Sequence, residues 1–448
     1  MPQDPKEKIL IMQPNRTQVS YLAALALVFA CLAAVTPAYA SGREKVLYDF
    51  YGNTEQVTNP QGSLVADATG NLYGTSNLGS KNSNGVVYEL VRGANGTWSD
   101  QVIYSFTGGS DGSYPNGNLI FDAAGNIYGT ANQGGDYGVG TVFELSPGSV
   151  GTWIETTLYS FNYNNGTDGI YPATGLIFDA AGNLYGGTMF GGNYQDPYCA
   201  AGCGAIFKLT HNPDGSWTEA TLYGLLFIDG YEIFSNLTFD AAGNLWGMAT
   251  WGGTGVCYQD GSNSGCGTVF QLAPQPDGSW MFHRIYSFQG GTDGSDPVRD
   301  GNLVFDSQGN IYGATSTGGN QGCSNRYYTG CGTVFQMTPQ PNGEWTETVL
   351  HVFGNAAGDG TGPHAVAFDA AGNLYGAAEG TGGYGFGNFF ELKPNRKGQW
   401  TYKTLYNFGG FYGDAQYPWT TPVRGADGYL YGLARLVGAY GSIYRIKP

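Results

Sequence analysis

Five carboxylates in this chain are placed to do acid–base or sugar chemistry: Glu232, Asp260, Asp293, Asp296 and Glu379. A glycosidase works with two such groups, one giving a proton and the other taking one or attacking. Near them in sequence runs an aromatic set: Phe190, Tyr194, Tyr198, Tyr231, Trp251, Tyr258, Tyr327 and Tyr328, with Asp260 and Arg326 among them. Flat rings stack on sugars and polar groups orient them, so a binding surface needs no more than this. Gly/Tyr-rich loops that merely pack on one another would use the same residues.

The cysteines are a third candidate chemistry. Six follow the first 40 residues, in three close pairs: Cys199 and Cys203, Cys257 and Cys266, Cys323 and Cys331. Zinc would want CxxC spacings or neighbouring histidines, and neither occurs. An even number in an exported chain reads as disulfides, each pair stapling its own stretch. The four histidines, His211, His283, His351 and His364, fall in unrelated places. No GxSxG elbow, HExxH or phosphate loop is present. No catalytic residue, cofactor or metal ligand is therefore assigned.

The elements that position these groups come from a repeat. The phrase Asp122-Ala-Ala-Gly-Asn-Ile-Tyr-Gly129 recurs, and its turn glycine stands at 70, 125, 182, 243, 309, 372 and 428. A period of about 60 residues holding four short strands describes a propeller blade. The first strand is apolar and ends in Asp, and the second is the Leu-Tyr-Gly stretch. The third reads Gly140-Thr-Val-Phe-Glu-Leu145, and the fourth opens on Trp and closes as Val102-Ile-Tyr-Ser-Phe106. A lone fourth strand at 46–50 and a final third strand at 441–446 complete one another. The expectation is an all-β, seven-bladed β-propeller of four antiparallel strands per blade, closed by the N-terminal strand, which leaves no free sheet edge.

This topology sorts the connections. Turns after first and third strands are short and uniform and share one face. Loops after second and fourth strands are long, vary between blades and share the other, where function usually resides. The cysteine pairs lie in second-to-third loops of blades 3, 4 and 5, which predicts a raised wall there. A further motif, Asp-Gly-x-x-Pro, falls after most fourth strands, as in Asp111 to Pro115 and Asp293 to Pro297. Such a ring of carboxylates would suit calcium or sugars, although no specific motif supports calcium. An Asx-turn leading into the next blade is the simpler reading.

Residues 1–40 read as a secretory signal peptide: Arg16, an apolar run over 21–35, and Ala38-Tyr39-Ala40 as a small-x-small cleavage site. Met12 is an alternative start. Lipidation at Cys31 is the lesser reading, because Phe29 suits a lipobox poorly. Residues 41–448 form one propeller domain, with 44–50 completing the last blade. The net charge is −16 with only 19 Lys and Arg. That excludes a basic stripe for nucleic acid and an attraction to anionic membrane. No later segment is apolar enough to span a bilayer, and a monomer is expected.

The repeat as a whole, from the third-strand phrase through LYsF and the Asp-Gly-x-x-Pro motif to the Gly-Asn turn, resembles the GloVer repeat of bacterial choice-of-anchor tandem repeat proteins. The resemblance covers residues 44–448. It implies an exported or surface-displayed bacterial protein, and it assigns no activity and transfers no functional residue. Such proteins often carry a C-terminal sorting segment. This chain stops at Ile446-Lys447-Pro448, which sets the expectation at a secreted or periplasmic rather than an anchored protein. The functional expectation is an exported propeller that binds an extracellular glycan or protein through the loop face over blades 3 to 5. The candidate contacts are Tyr194, Tyr231, Trp251, Tyr258, Asp260, Arg326, Tyr327 and Tyr328. The alternatives are a polysaccharide lyase or glycosidase using loop carboxylates, and a purely structural surface repeat.

Overall fold

Why this sequence closes into a ring is visible in a single blade. Blade 2 of the computed structural model runs Ser113–Pro115 with Ile120–Phe121, then Ile127–Gln133, Thr141–Pro147 and Trp153–Ser160, each antiparallel to the next. Asp122 makes the first turn. Its Oδ1 accepts the backbone N–H groups of Ala124 (2.8 Å) and Asn126 (2.9 Å), and its Oδ2 accepts the Asn126 amide and the Tyr128 hydroxyl. Where Trp246 replaces that tyrosine, its indole N–H reaches Asp240 instead at 2.8 Å. Burial works against the charge on Asp122, but the four donors outweigh it and hold the carboxyl below its usual range.

The structure describes residues 44–50, 57–259, 262–297, 301–319, 321–323, 330–356, 358–411, 413–435 and 440–448. The proposed signal segment and its cleavage site lie outside them. Among the described residues no helix is long and apolar enough to cross a membrane.

The fold is an all-β, seven-bladed propeller. In blade 7, Glu44–Asp49 pairs antiparallel with Ser442–Ile446, Glu44 opposite Ile446, so the ring is closed by hydrogen bonds between strands from opposite ends of the chain. Third strands are buried on both sides, while fourth strands alternate between exposed and partly covered positions on the outside.

The core is a series of aliphatic and aromatic clusters between neighbouring blades. Phe106 of blade 1 meets Phe143 of blade 2 edge-on at 5.1 Å, and Phe50 of blade 7 meets Tyr88 of blade 1 at 5.2 Å. The glycine of the second strand makes room for this ring: a Cβ on Gly129 would come within 2.6 Å of Phe143. Seven such seams give each blade an apolar face against both neighbours, and burial of that area is the main stabilising term.

Candidate binding face

The loop-bearing face begins where each fourth strand ends. There a tyrosine donates its hydroxyl to the recurrent Asp of the following loop: Tyr104 to Asp111, Tyr159 to Asp168, Tyr223 to Asp229, Tyr286 to Asp293 and Tyr406 to Asp414, at 2.8–3.1 Å. Backbone N–H groups of the loop complete each clasp, as from Asn162 to Asp168. In blade 5 His351 takes the tyrosine's place against Asp359. These carboxylates are scaffold, and Asp293 is spent in this way.

The Asp-Gly-x-x-Pro motif does more than end a loop. Its proline enters the innermost strand, Pro115 opposite Ala131, and the residue before it, or before Ile233 where blade 4 lacks the proline, is left-handed in every blade. That residue is Asn59, Tyr114, Tyr171, Glu232, Asp296, Gly362 or Tyr417, with φ between 54° and 62°. Its backbone N–H donates to the residue before the third-strand glycine of the previous blade: Tyr440, Asn84, Val139, Cys203, Cys266, Cys331 and Phe386, at 2.8–3.3 Å. In six blades the residue that follows is a proline packed on that glycine, and in blade 4 it is Ile233. A Cβ on Gly140, itself at φ +111°, would meet Pro172 Cδ at 2.4 Å. This is a sevenfold latch between blades. Non-glycine residues at such φ values cost about 1–3 kcal/mol each.

The latch brings two of the five candidate carboxylates to equivalent positions, Glu232 on blade 4 and Asp296 on blade 5. Glu379 lies elsewhere, at the loop end of the second strand of blade 6. It accepts from Arg435 at 2.9 Å and contacts His364 at 3.3 Å. Burial alone would raise its carboxyl, but His364 and then Arg435 hold it below the usual range. Asp260 is outside the described residues. His211 stacks on Trp217 at 4.5 Å, and His283 is exposed on an outer strand.

The three cysteine pairs are joined within their own loops, with Cα–Cα separations of 5.2, 5.1 and 5.3 Å. Between Cys257 and Cys266 the loop rises as a small ribbon, Tyr258–Gln259 against Ser262–Asn263. The later cysteine of each pair, Cys203, Cys266 or Cys331, is fully buried and carries the carbonyl that the latch uses.

The predicted aromatic contacts divide by exposure. Tyr198 (76% exposed) and Tyr258 (66%) project at the surface, Tyr198 with one side of its ring 5.3 Å from Phe227. Trp251 does not: it is 7% exposed and pairs through its backbone with Tyr231, so it is core. Tyr231 is half-buried in a line of rings running Tyr171, Phe190, Tyr231, each 6.0 Å from the next. Burial, with Glu232 beside it, pushes its hydroxyl up to about 12. The Tyr194 hydroxyl is enclosed. Arg326, Tyr327 and Tyr328 lie outside the described residues.

Sequence reading missed five exposed rings on this face: Tyr137, Tyr163, Tyr384, Phe411 and Tyr440. A signal was present, because Tyr137, Tyr384 and Tyr440 each precede a glycine in the short second-to-third loops of blades 2, 6 and 7. With Tyr198 and Tyr258 these make up the strongly exposed aromatics among the described residues. All seven sit in second-to-third or fourth-to-first loops, on one face of the ring.

The description of one family, the Gloeobacter/Verrucomicrobia repeat, matches residues 34–258, half of the chain. The chain belongs to that repeat family. Like the sequence phrases, the structural period of this Gloeobacter/Verrucomicrobia repeat protein continues through all seven blades to residue 446. None of the curated proteins compared matches it. Among solved structures it is similar to a gluconolactonase from Xanthomonas campestris, at 13% identity and a TM-score of 0.41, over 93% of each chain. It is also similar to a protein of unknown function from Dyadobacter fermentans, at 11% identity and 0.43, over 90% of this chain and 96% of that one. Likenesses this distant say nothing of what the repeat protein binds.

Proposed function

We propose that the loop-bearing face binds an extracellular glycan. The observation that supports it is the one-sided distribution of exposed rings: seven aromatics on the loop face, against short hydrogen-bonded turns on the other. Solvent-exposed tyrosines held on a rigid scaffold suit stacking on the flat faces of sugars, with hydroxyl groups at hand to orient them. The strongly acidic chain favours a neutral glycan over an anionic one. Export belongs to this reading and is supported by Ala38-Tyr39-Ala40 after an apolar run and by three closed cysteine pairs.

The test is affinity electrophoresis or calorimetry against neutral and acidic polysaccharides. Tyr198→Ala and Tyr258→Ala should each weaken binding roughly tenfold, as exposed anchor rings do, while Trp251→Ala should lower stability. No retention by any glycan, or retention indifferent to both tyrosines, would overturn the reading.

A second reading, polysaccharide cleavage, is favoured by Glu232 and Asp296 at equivalent latch positions on neighbouring blades. Glu232→Gln and Asp296→Asn would then abolish turnover and leave binding intact.

A further inference from the structure

Each second strand carries one side chain near its loop end, always the third residue after the strand's glycine. In five blades that residue is neutral: Asn77, Asn132, Met189, Thr250 and Ser316. Three of these bond to the latch. Asn77 accepts from Asn59 at 2.8 Å, Asn132 donates to the Pro172 carbonyl at 3.3 Å, and Ser316 donates to the Asp296 carbonyl at 3.1 Å. The latch lies on the innermost strands, which line the central channel of a propeller. The position therefore rings the mouth of that channel on the loop-bearing face. Blades 6 and 7 depart from the neutral pattern with Glu379 and Arg435.

These two meet across the seam between their blades. Arg435 donates through Nη1 to Glu379 Oε1 at 2.9 Å, and its guanidinium lies over the Trp419 ring, 4.2 Å from the centroid. His364 Nε2 contacts the other oxygen of Glu379 at 3.3 Å. His364 and Trp419 directly follow the latch prolines Pro363 and Pro418, and both are largely buried. They are positioning residues that fix the pair from the channel side. The pair itself stays open, with the Arg435 side chain 46% exposed and that of Glu379 32%. Among the described residues Arg435 has no other ion-pair partner. The rest of its planar fork of N–H groups is free for a ligand, and each Glu379 oxygen keeps a lone pair.

A guanidinium joined to a carboxylate offers donors and acceptors side by side with no net charge. A second carboxylate brought to Arg435 would face Glu379 and an acidic chain, so an anionic group fits poorly. Two adjacent hydroxyls fit well, because each can give one hydrogen bond and take another. Rings for stacking stand close by in the chain. Tyr384, Phe411 and Tyr440, three of the seven exposed aromatics, are carried by loops of these same two blades. Tyr384 leans on the loop that bears Phe411: a Cβ on Gly410 would come within 2.8 Å of its ring. Resting on the reading that this face binds glycan, we propose that Glu379 and Arg435 are its polar anchor, holding two adjacent hydroxyls of one neutral sugar residue at the mouth of the channel.

The experiment is calorimetry and affinity electrophoresis of the full chain against xylan, galactomannan, mixed-linkage β-glucan and starch, with polygalacturonate as the acidic probe. Arg435→Lys keeps the charge and loses the flat fork. Glu379→Gln keeps an acceptor for the guanidinium and loses the charge. Each should weaken capture of the neutral polysaccharide severalfold. The double variant should be scarcely weaker than the worse single one, because the two groups act as a unit. Added salt should change wild-type affinity little, since no net charge is exchanged. Melting temperatures taken beside each measurement separate lost folding from lost binding. Capture that depends on Tyr198 and Tyr258 but is indifferent to both anchor variants would overturn the anchor and leave the glycan reading standing. No capture of any polysaccharide would overturn both. Capture of polygalacturonate that is abolished by salt and by Arg435→Lys would overturn the hydroxyl pair in favour of a carboxylate ligand.

Discussion

Gly140 shows how much one residue carries in this ring. Its φ of +111° is open mainly to glycine, and the proline of the next blade occupies the space a Cβ would need. Gly140→Ala should therefore cost about 3 kcal/mol, measured by urea unfolding, whereas the same change at Gly125, whose Cβ would meet nothing within 4 Å, should cost only its backbone strain. An equal loss at both positions would mean that the proline contact contributes nothing. The glycines were legible from the repeat, but the latch was not. Its left-handed residues are tyrosine, glutamate and aspartate in five of seven blades, and side chains of those types give no hint of positive φ. The exposure of Tyr258 and the burial of Trp251 were equally hidden. A ring in a Gly-rich loop packs or projects according to what the neighbouring blade presents, and that is a matter of contacts far along the chain.

At the scale of the element, the stapled loops couple surface to scaffold. Each later cysteine lends its carbonyl to the latch of the next blade, so a disulfide fixes both the loop above and the seam beside it. Peptide mapping without reduction should recover Cys199–Cys203, Cys257–Cys266 and Cys323–Cys331. Replacing Cys257 and Cys266 together with alanine should remove about 2–3 kcal/mol, the scale for closing so short a loop, and speed proteolysis in the ribbon around Tyr258 before elsewhere. Pairing within a loop was readable from spacing, because only a few residues separate the members of each pair. The junction with the latch needed the fold, since Cys203 and Glu232 meet across two blades. The clasps fall between these cases: a tyrosine two residues before the end of the closing phrase and an Asp some residues later are visible in five copies, from Tyr104 and Asp111 to Tyr406 and Asp414, yet only the folded loop shows them bonded.

For the whole molecule, the acids set the pH range of the ring. Burial, with neighbouring Asp charges, pushes Glu44 up to about 8 and Glu219 and Glu347 up to about 7. Between about 4.5 and those values the folded chain holds more protons than the unfolded one, so stability falls as pH rises through that window. Asp67, Asp122, Asp179, Asp240 and Asp369 work the other way. Although burial alone would raise them, their donors hold them below the usual range. Their contribution is present above an ordinary Asp value and is lost as pH drops below it. The melting temperature should peak near pH 5 and fall toward both pH 3 and pH 8.5. A temperature that rises steadily up to pH 8.5 would contradict the assignment of the buried glutamates. Seven blades and their closure were the most legible feature of all, because a repeated turn phrase needs no tertiary knowledge to count.

The seventh blade also gives the ring a sense of time. Among the described residues Glu44–Asp49 is made before every other strand and Ser442–Ile446 after them, yet each lies hydrogen-bonded to the other. Until Ser442–Ile446 has been made, Glu44–Asp49 lacks the ladder partner it has in the ring and presents a bare edge open to aggregation. A chain cut short by even one strand cannot shut. Closure thus makes the ring an all-or-none object: a single ladder joins its two ends, and losing either strand of that ladder would open a whole blade.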